Sequence, residues 1–303
     1  MLTFRDITLE DRPWICRALR QSDFPGCEYS FANNLAWCRA ASSRIAQAGG
    51  FYLICAFDTP DGAPHFSFPA GAGDYAPVFR EMAAFAASMG KTLVITGVTT
   101  EMRPVLEQLF PEAFSWENDR DSADYLYDTA AFTALSGKKY HKKRNHIAQF
   151  QKYAPVFSEM TPNDFEECIA FAADSYNAKD GYTDASSVAE QYAIHTFFTN
   201  FEALELKGGV YRVNGNLAAF SIGEPISSQV FGVHIEKADL RYHGAYPAMA
   251  REFAAHFAAA YPYLNREEDL GIPGLRKSKL SYYPAILLEK WTAVCKTPEA
   301  LLL

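Results

Sequence analysis

The stretch from Asn265 to Pro284 crowds acids, glycines and bases together: Glu267, Glu268 and Asp269, then Gly271-Ile272-Pro273-Gly274, then Arg276, Lys277 and Lys279. A solvated network of surface ion pairs is the ordinary fate of such charge. Here the pattern is too poorly amphipathic for a plain helix face, and the glycines let backbone come close to a ligand. Three adjacent carboxylates raise at least one carboxyl pKa toward the range of a general base, while three cations suit a phosphate. The stretch is therefore read as a site in which acids take a proton and bases hold an anion.

A second constellation joins a strand to a helix at Arg241-Tyr242-His243-Gly244-Ala245-Tyr246. A run of backbone N–H groups at a helix start is an anion cradle. Its spacing resembles the R-x-x-G-x-G/A pyrophosphate loop of the GNAT N-acyltransferases, with Tyr246 where that family has Gly or Ala. On the strand before it, alternation places Gly232, His234 and Glu236 on one face, and a charged face on a central strand needs solvent or a site. Gly71-Ala72-Gly73-Asp74-Tyr75-Ala76 fits the loose dinucleotide pattern, but no acid stands at the tip of the next strand, Ile95-Thr96-Gly97, so it is read as an ordinary strand-to-helix turn.

The third feature is a reversal of charge. The chain carries 36 acids against 28 Lys and Arg, a net charge of −8, which argues against a generally nucleic-acid-binding surface. Yet from Thr129 to Ser158 there is no Asp or Glu, while Lys138, Lys139, Lys142, Lys143, Arg144 and Lys152 fall inside. Helical spacing aligns Lys138, Lys142 and Asn145 in one row and Lys139, Lys143 and His146 in the next, a positive strip for a polyanion or a plain solvated face. No His or Cys pair has zinc-ligand spacing apart from His141 and His146, whose basic surroundings repel a cation, so no metal is expected. The six cysteines lack a C-x-x-C pair and are expected as reduced thiols in the cytoplasm. No apolar run reaches the roughly 18 residues of a membrane helix, so no transmembrane segment is expected.

These residues need elements to hold them. Thr161-Pro162 opens a helix through Phe165 and Ala172, and a second runs from about Ser187 to Ala203. Strands 210–213 and 217–222 flank Asn214-Gly215, a strong hairpin signal, and a third strand spans 229–236. An Ala-rich helix follows Gly244 to about Ala260, then a strand near Tyr263, a short helix from about Leu275 to Tyr282 and a last strand, 286–294. The first half has the same order: strands at 51–57 and 65–68 around Asp61-Gly62, a glycine loop, a helix ending at Gly90, a strand at 92–96 and a helix over 102–110. Two copies of one unit joined by a basic helix over 137–153 is the simplest architecture.

At these stretches, and at Asp124-Tyr125-Leu126-Tyr127, Leu135-Ser136-Gly137-Lys138-Lys139, His141 to His146, Gly208-Gly209-Val210 and His234-Ile235-Glu236-Lys237, the chain resembles the DUF2156 family from about Ser30 to Trp291. That family is grouped with the C-terminal domain of phosphatidylglycerol lysyltransferases. The resemblance implies an α/β (α+β) tandem GNAT-like acyl-CoA N-acyltransferase fold of two mixed-sheet units. Its expected parts are an N-terminal lobe (1–135), a basic connecting helix (136–153) and a C-terminal lobe with the site (154–303).

It also implies transfer of an acyl or aminoacyl group to an amine or hydroxyl on a small molecule, peptide or lipid headgroup. The donor is acyl-CoA or aminoacyl-tRNA as co-substrate, with no permanently bound cofactor. In that scheme Glu268 or Asp269, or else Glu236, deprotonates the acceptor and Tyr283 protonates the leaving oxygen. Arg276, Lys277 and Lys279 hold donor phosphates with Arg241 and Gly244, while Lys138, Lys142 and Arg144 guide a tRNA. A non-catalytic module binding an anionic aminoacyl or nucleotide ligand needs the same pocket and remains the alternative.

Overall fold

A computed structural model describes residues 2–177, 185–296 and 301. Among them the chain forms helices α1 (Arg12–Ser22) and α2 (Phe31–Trp37), strands β1 (Arg44–Ala48), β2 (Phe51–Ala56), β3 (His65–Ser67) and β4 (Ala70–Gly71), helix α3 (Tyr75–Ser88), β5 (Val94–Val98), α4 (Arg103–Leu109) and the long β6 (Phe114–Asp128). It continues with α5 (Thr129–Ala134), α6 (His141–Gln151), β7 (Val156–Glu159), α7 (Phe165–Asn177), α8 (Ala185–Thr199), β8 (Lys207–Val213), β9 (Asn216–Pro225), β10 (Val230–Ala238), α9 (Ala245–Phe257), β11 (Tyr263–Asn265), α10 (Pro273–Leu280) and β12 (Ile286–Cys295).

Local chemistry explains several boundaries. Asn214 and Gly215 take φ of 50° and 84°, the two left-handed residues of a two-residue hairpin, and β8 pairs antiparallel with β9 around them. Thr161 and Asp164 form a capping box, the Thr161 N–H donating to Asp164 Oδ2 at 2.8 Å, so a short 3-10 turn precedes α7. The basic segment likewise splits into a 3-10 turn, Lys138–Tyr140, and α6, instead of one helix over 137–153. At the start of α3 the Asp74 carboxylate accepts from Ala76 N–H at 3.0 Å. An acid thus fills the place where a dinucleotide phosphate would sit, as expected of an ordinary turn.

Two compact units are present, and they are not collinear with the chain. The first comprises residues 1–124, 268–273 and 287–303, the second 125–267 and 274–286. This division differs from the collinear partition at 135 and 154, and the cause is strand pairing. In the first unit the strand order is β1-β2-β3-β5-β12-β6, with β5 parallel to β3 and antiparallel to β12, which arrives from the C-terminus. In the second it runs from the end of β6 through β11, β10, β9 and β8 to β7, with β11 parallel to β10 and antiparallel to residues 126–128 of β6. Each half supplies hairpin, helix, parallel strand, helix and strand in that order, but the last strand of the chain, β12, joins the first unit's ladder, and only residues 126–128 of β6 pair in the second.

The second unit's core positions the site. Ala245, Ala248, Met249, Ala250, Phe253 and Ala254 of α9 are buried against β8, β9 and β10. Alanines on this face let backbones approach, and Phe253, 1% exposed, contributes roughly 2–3 kcal/mol by burial. Val210, Phe220, Ile222 and Phe231 complete the apolar layer.

Candidate functional site

β10 ends at Ala238 and the chain turns into α9 through Gly244, whose φ is 89°. The Ala245 N–H donates to Tyr242 O at 3.1 Å, and Pro247 has no N–H. No side chain caps this end, so Gly244 and Tyr246 supply the amides it can offer to an anion. A cavity of about 240 Å³ opens here, lined by Lys143, His146, Asp239, Tyr242, His243 and Gly244 among others. Lys143 and His146, one helical turn apart, are the residues of α6 that line it.

The electrostatics favour a negative guest. His146 Nδ1 and His243 Nε2 lie 2.9 Å apart, one ring donating and the other accepting. Burial, with His243, Lys143 and Lys142 nearby, pushes the His146 pKa below its ordinary value. Burial also brings Lys143 down to about 8, Arg266 adding to that shift and Glu236 opposing it. The Lys143 ammonium stands 3.6 Å from the centre of the Tyr282 ring. An anion in the cavity would reverse both depressions.

Beside Lys143 lies a buried ion pair. Arg266 Nη2 donates to Glu236 Oε1 at 2.9 Å, with side-chain exposures of 13% and 11%. The guanidinium lies 5.1 Å from the Tyr282 ring centre and 5.5 Å from that of Phe132. Burial raises the Glu236 pKa, against Arg266, Lys279 and Lys143, which lower it. Glu236 Oε2 and Arg266 Nη1 are buried and make no hydrogen bond among the described residues.

Two residues along β10, the His234 ring sits between carboxylates, Nδ1 2.9 Å from Glu267 and Nε2 3.4 Å from Glu224, and stacks on Phe197. Burial alone would discharge it, but the hydrogen bonds to Glu224 and Glu267 prevail and raise its pKa to about 9. The β10–β9 register shifts between Val233 and Ile235, so His234 sits within an irregularity of the strand and Glu236 follows it.

The residues singled out from sequence divide between the units. Glu236, Arg276, Lys277, Lys279, Tyr283, Lys138, Lys142, Arg144, Arg241 and Gly244 belong to the second, Glu268 and Asp269 to the first. Lys279 is buried, and its ammonium donates to the carbonyls of Arg266 and Glu267, holding the loop. Arg144 is exposed, and its Nη1 donates to the carbonyls of Leu135 and Gly137. Asp269 is wholly buried, pairs with Arg120 at 3.3 Å and accepts from Gly271 N–H at 2.9 Å, which spends its lone pairs on structure. Arg241 is exposed and pairs with Asp239 at 2.7 Å. Lys138, Lys142 and Lys277 are exposed, and Arg276 is half-buried. Tyr283 is 48% exposed, its ring 5.5 Å from Tyr140 and 4.9 Å from the Lys139 ammonium.

Glu268 joins a cluster that sequence spacing does not reveal. Its Oε2 is 3.3 Å from Cys27 Sγ, which lies 3.4 Å from Asp124 Oδ1, and these three donors could by geometry surround a metal ion. The cationic place already has an occupant in Lys290, whose ammonium is 2.8 Å from Asp124 and 2.9 Å from Glu28. Burial disfavours that charge, but Asp124, Cys27, Glu28 and Glu268 outweigh it and hold the Lys290 pKa well above the ordinary value. This donor set therefore fits an internal ammonium and gives no ground for a metal. Sequence reasoning also passed over His243 and Arg266 as site residues. The only signal for Lys143 and His146 was their shared helical row.

The family model described as phosphatidylglycerol lysyltransferase, C-terminal, matches residues 19–294. A conserved protein of unknown function from Bacteroides thetaiotaomicron is 38% identical, covering 98% of this chain and 100% of its own, with a TM-score of 0.91. A structure from Agrobacterium fabrum, described as the C-terminal domain (DUF2156) of a lysylphosphatidylglycerol synthetase, covers 97% of this chain and 93% of its own at 13% identity and TM-score 0.68. A tandem GNAT protein from the clavulanic acid biosynthesis pathway covers 97% and 98% at 12% identity and TM-score 0.50, in keeping with a tandem GNAT-like fold. An uncharacterized protein of Mycoplasmoides gallisepticum is 25% identical over 178 residues, and the match spans 56% of this chain and 55% of that relative's length. With the match running over nearly its whole length, the chain belongs to the phosphatidylglycerol lysyltransferase C-terminal family.

Proposed function

We propose that this chain transfers an acyl or aminoacyl group from a phosphate-bearing carrier, coenzyme A or tRNA, to an amine or hydroxyl acceptor. The observation that carries the reading is the cavity at the start of α9, where Lys143, His146 and His243 surround an uncapped helix terminus. The acceptor atom attacks the carbonyl carbon, the bond from that carbon to the carrier's oxygen or sulfur breaks, and the proton lost by the acceptor balances the one gained by the carrier. The exposed Lys138 and Lys142 extend the positive surface outward for a polyanion. Family membership supports a transferase of this type.

The commitment of Asp269 and Lys279 to structural contacts favours a second reading, a module that binds the same anionic ligand without chemistry. One experiment separates them. The chain is incubated with acyl-CoA or charged tRNA carrying a labelled acyl group, with an amine acceptor, while equilibrium binding of each carrier is measured over a salt series. A tRNA carrier gives a log-log slope of about −0.7 to −0.9 per phosphate contacted, and coenzyme A a far shallower one. Carrier binding without label transfer to any amine or hydroxyl leaves the binding module, and absence of both overturns the two readings together.

A further inference from the structure

Lys143 differs from the other lysines of the basic segment in where its amine stands. It is half-buried and lines the cavity at the start of α9, whereas Lys138, Lys139, Lys142 and Lys152 are exposed. Among the described residues its Nζ makes no hydrogen bond and no ion pair, and the Tyr282 ring beneath it is shared with the Arg266 guanidinium, 5.1 Å from the same ring centre. The carboxylate nearby, Glu236, is paired with Arg266. A desolvated lysine set beside another cation and held by no carboxylate is the arrangement that makes an amine nucleophilic. With its pKa brought down to about 8, about half of Lys143 is neutral amine at pH 8, against roughly 0.3% of an ordinary lysine. A less basic amine attacks more slowly, so the net advantage in rate is on the order of 10-fold.

The surroundings select the reagent. Lys143, His146 and His243 line one cavity with the uncapped start of α9, so a phosphate is the group the cavity attracts. A phosphate seated there brings to Lys143 only what is bonded close to it. The thioester of coenzyme A is many bonds from its pyrophosphate, but the carbonyl carbon of an acyl phosphate is one oxygen from phosphorus. We propose that Lys143 is a site of covalent acylation by acyl phosphates, and that the modification closes the cavity to its anionic ligand. The neutral amine attacks the carbonyl carbon, the bond from that carbon to the phosphate oxygen breaks, and the electron pair leaves with the phosphate. The proton lost by the amine goes to the phosphate, so the products are an amide and hydrogen phosphate. The amide removes one positive charge from the cavity and adds bulk to it. The proposal rests on the transfer reading only in taking the cavity as a phosphate site.

The test treats the whole chain at pH 8 with acetyl phosphate or, separately, with acetic anhydride, which carries no phosphate, while tandem mass spectrometry follows each lysine in time. Acetyl phosphate should modify Lys143 on the order of 10-fold faster than its neighbour Lys142, and saturating inorganic pyrophosphate should slow Lys143 alone. The Lys143 to Lys142 ratio should be smaller with the anhydride. The acetylated chain should bind pyrophosphate roughly 10- to 100-fold more weakly by calorimetry, and Lys143→Arg, which keeps the charge without the nucleophile, should bind it equally before and after treatment. Equal rates at Lys143 and Lys142 overturn the site, and an equal ratio with both reagents overturns the acyl phosphate assignment. Unchanged pyrophosphate affinity after full acetylation of Lys143 overturns the closure. The labelling series needs no variant to fold. Preferential acetylation of Lys143 in a chain that binds neither coenzyme A nor tRNA leaves this site standing and counts against the transfer reading alone.

Discussion

Gly244 lies against the backbone of His146: a Cβ built on it would stand 2.7 Å from the His146 carbonyl carbon and overlap the oxygen. The start of α9 and the third residue after Lys143 are thus held together at a place that tolerates no side chain. The positive φ of 89° adds a second restriction.

Gly244→Ala should therefore destabilise the chain by about 2 to 4 kcal/mol, combining left-handed strain with a backbone overlap. Urea unfolding reads this directly. Gly274→Ala, where an added Cβ meets nothing within 4 Å, is the control and should change stability by less than about 1 kcal/mol.

The His234 ring makes stability depend on pH. Its folded pKa of about 9 lies above the ordinary 6.5, so its contribution is fully present below pH 6.5 and is lost as pH rises through about 9. The shift corresponds to about 3 kcal/mol. Wild type should lose most of that amount between pH 6.5 and 9.5 in denaturant titrations, and His234→Gln should flatten the curve over this window.

Lys143 sets the pH dependence of anion binding. With its pKa near 8, the free cavity loses a positive charge as pH rises through that value, so pyrophosphate affinity should fall between pH 7 and 9. Lys143→Ala should weaken binding at pH 7 by roughly 10- to 100-fold and remove this part of the pH profile. Lys142→Ala, one residue away and exposed, should have a much smaller effect in the same calorimetric titration.

In the first unit, Lys290 is the charge whose removal should cost most. Lys290→Met leaves Asp124 buried beside Cys27 and Glu28 with no cation, a loss of about 3 to 5 kcal/mol in chemical unfolding. Adding Asp124→Asn to that variant should recover part of the loss, because the uncompensated charge goes with it. If the single variant is as stable as wild type, the cluster carries no structural charge pairing.

What the sequence determined by itself is what local forces decide. The Asn214-Gly215 hairpin follows from the φ each residue tolerates, and the helices after Thr161 and Gly244 follow from end chemistry and apolar spacing. The order of elements in each half, the acid-free stretch over 129–158 and the family likeness were legible for the same reason, since none depends on a distant partner. Tertiary structure alone decided that β12 pairs in the first unit, because a strand's ladder partner is chosen by hydrogen bonds between residues far apart in the chain, such as Ala293 with Ile95. It decided that Lys143 and His146, not Lys142 and Arg144, line the cavity, since the burial of one helical row depends on the helix packed against it. The charges near Asp269 show the same limit: adjacency made Glu267, Glu268 and Asp269 look like one site, whereas folding sends them to His234, Cys27 and Arg120 in turn. Successive residues of an irregular segment can point in different directions, so spacing along the chain carries no information about which charge each one meets.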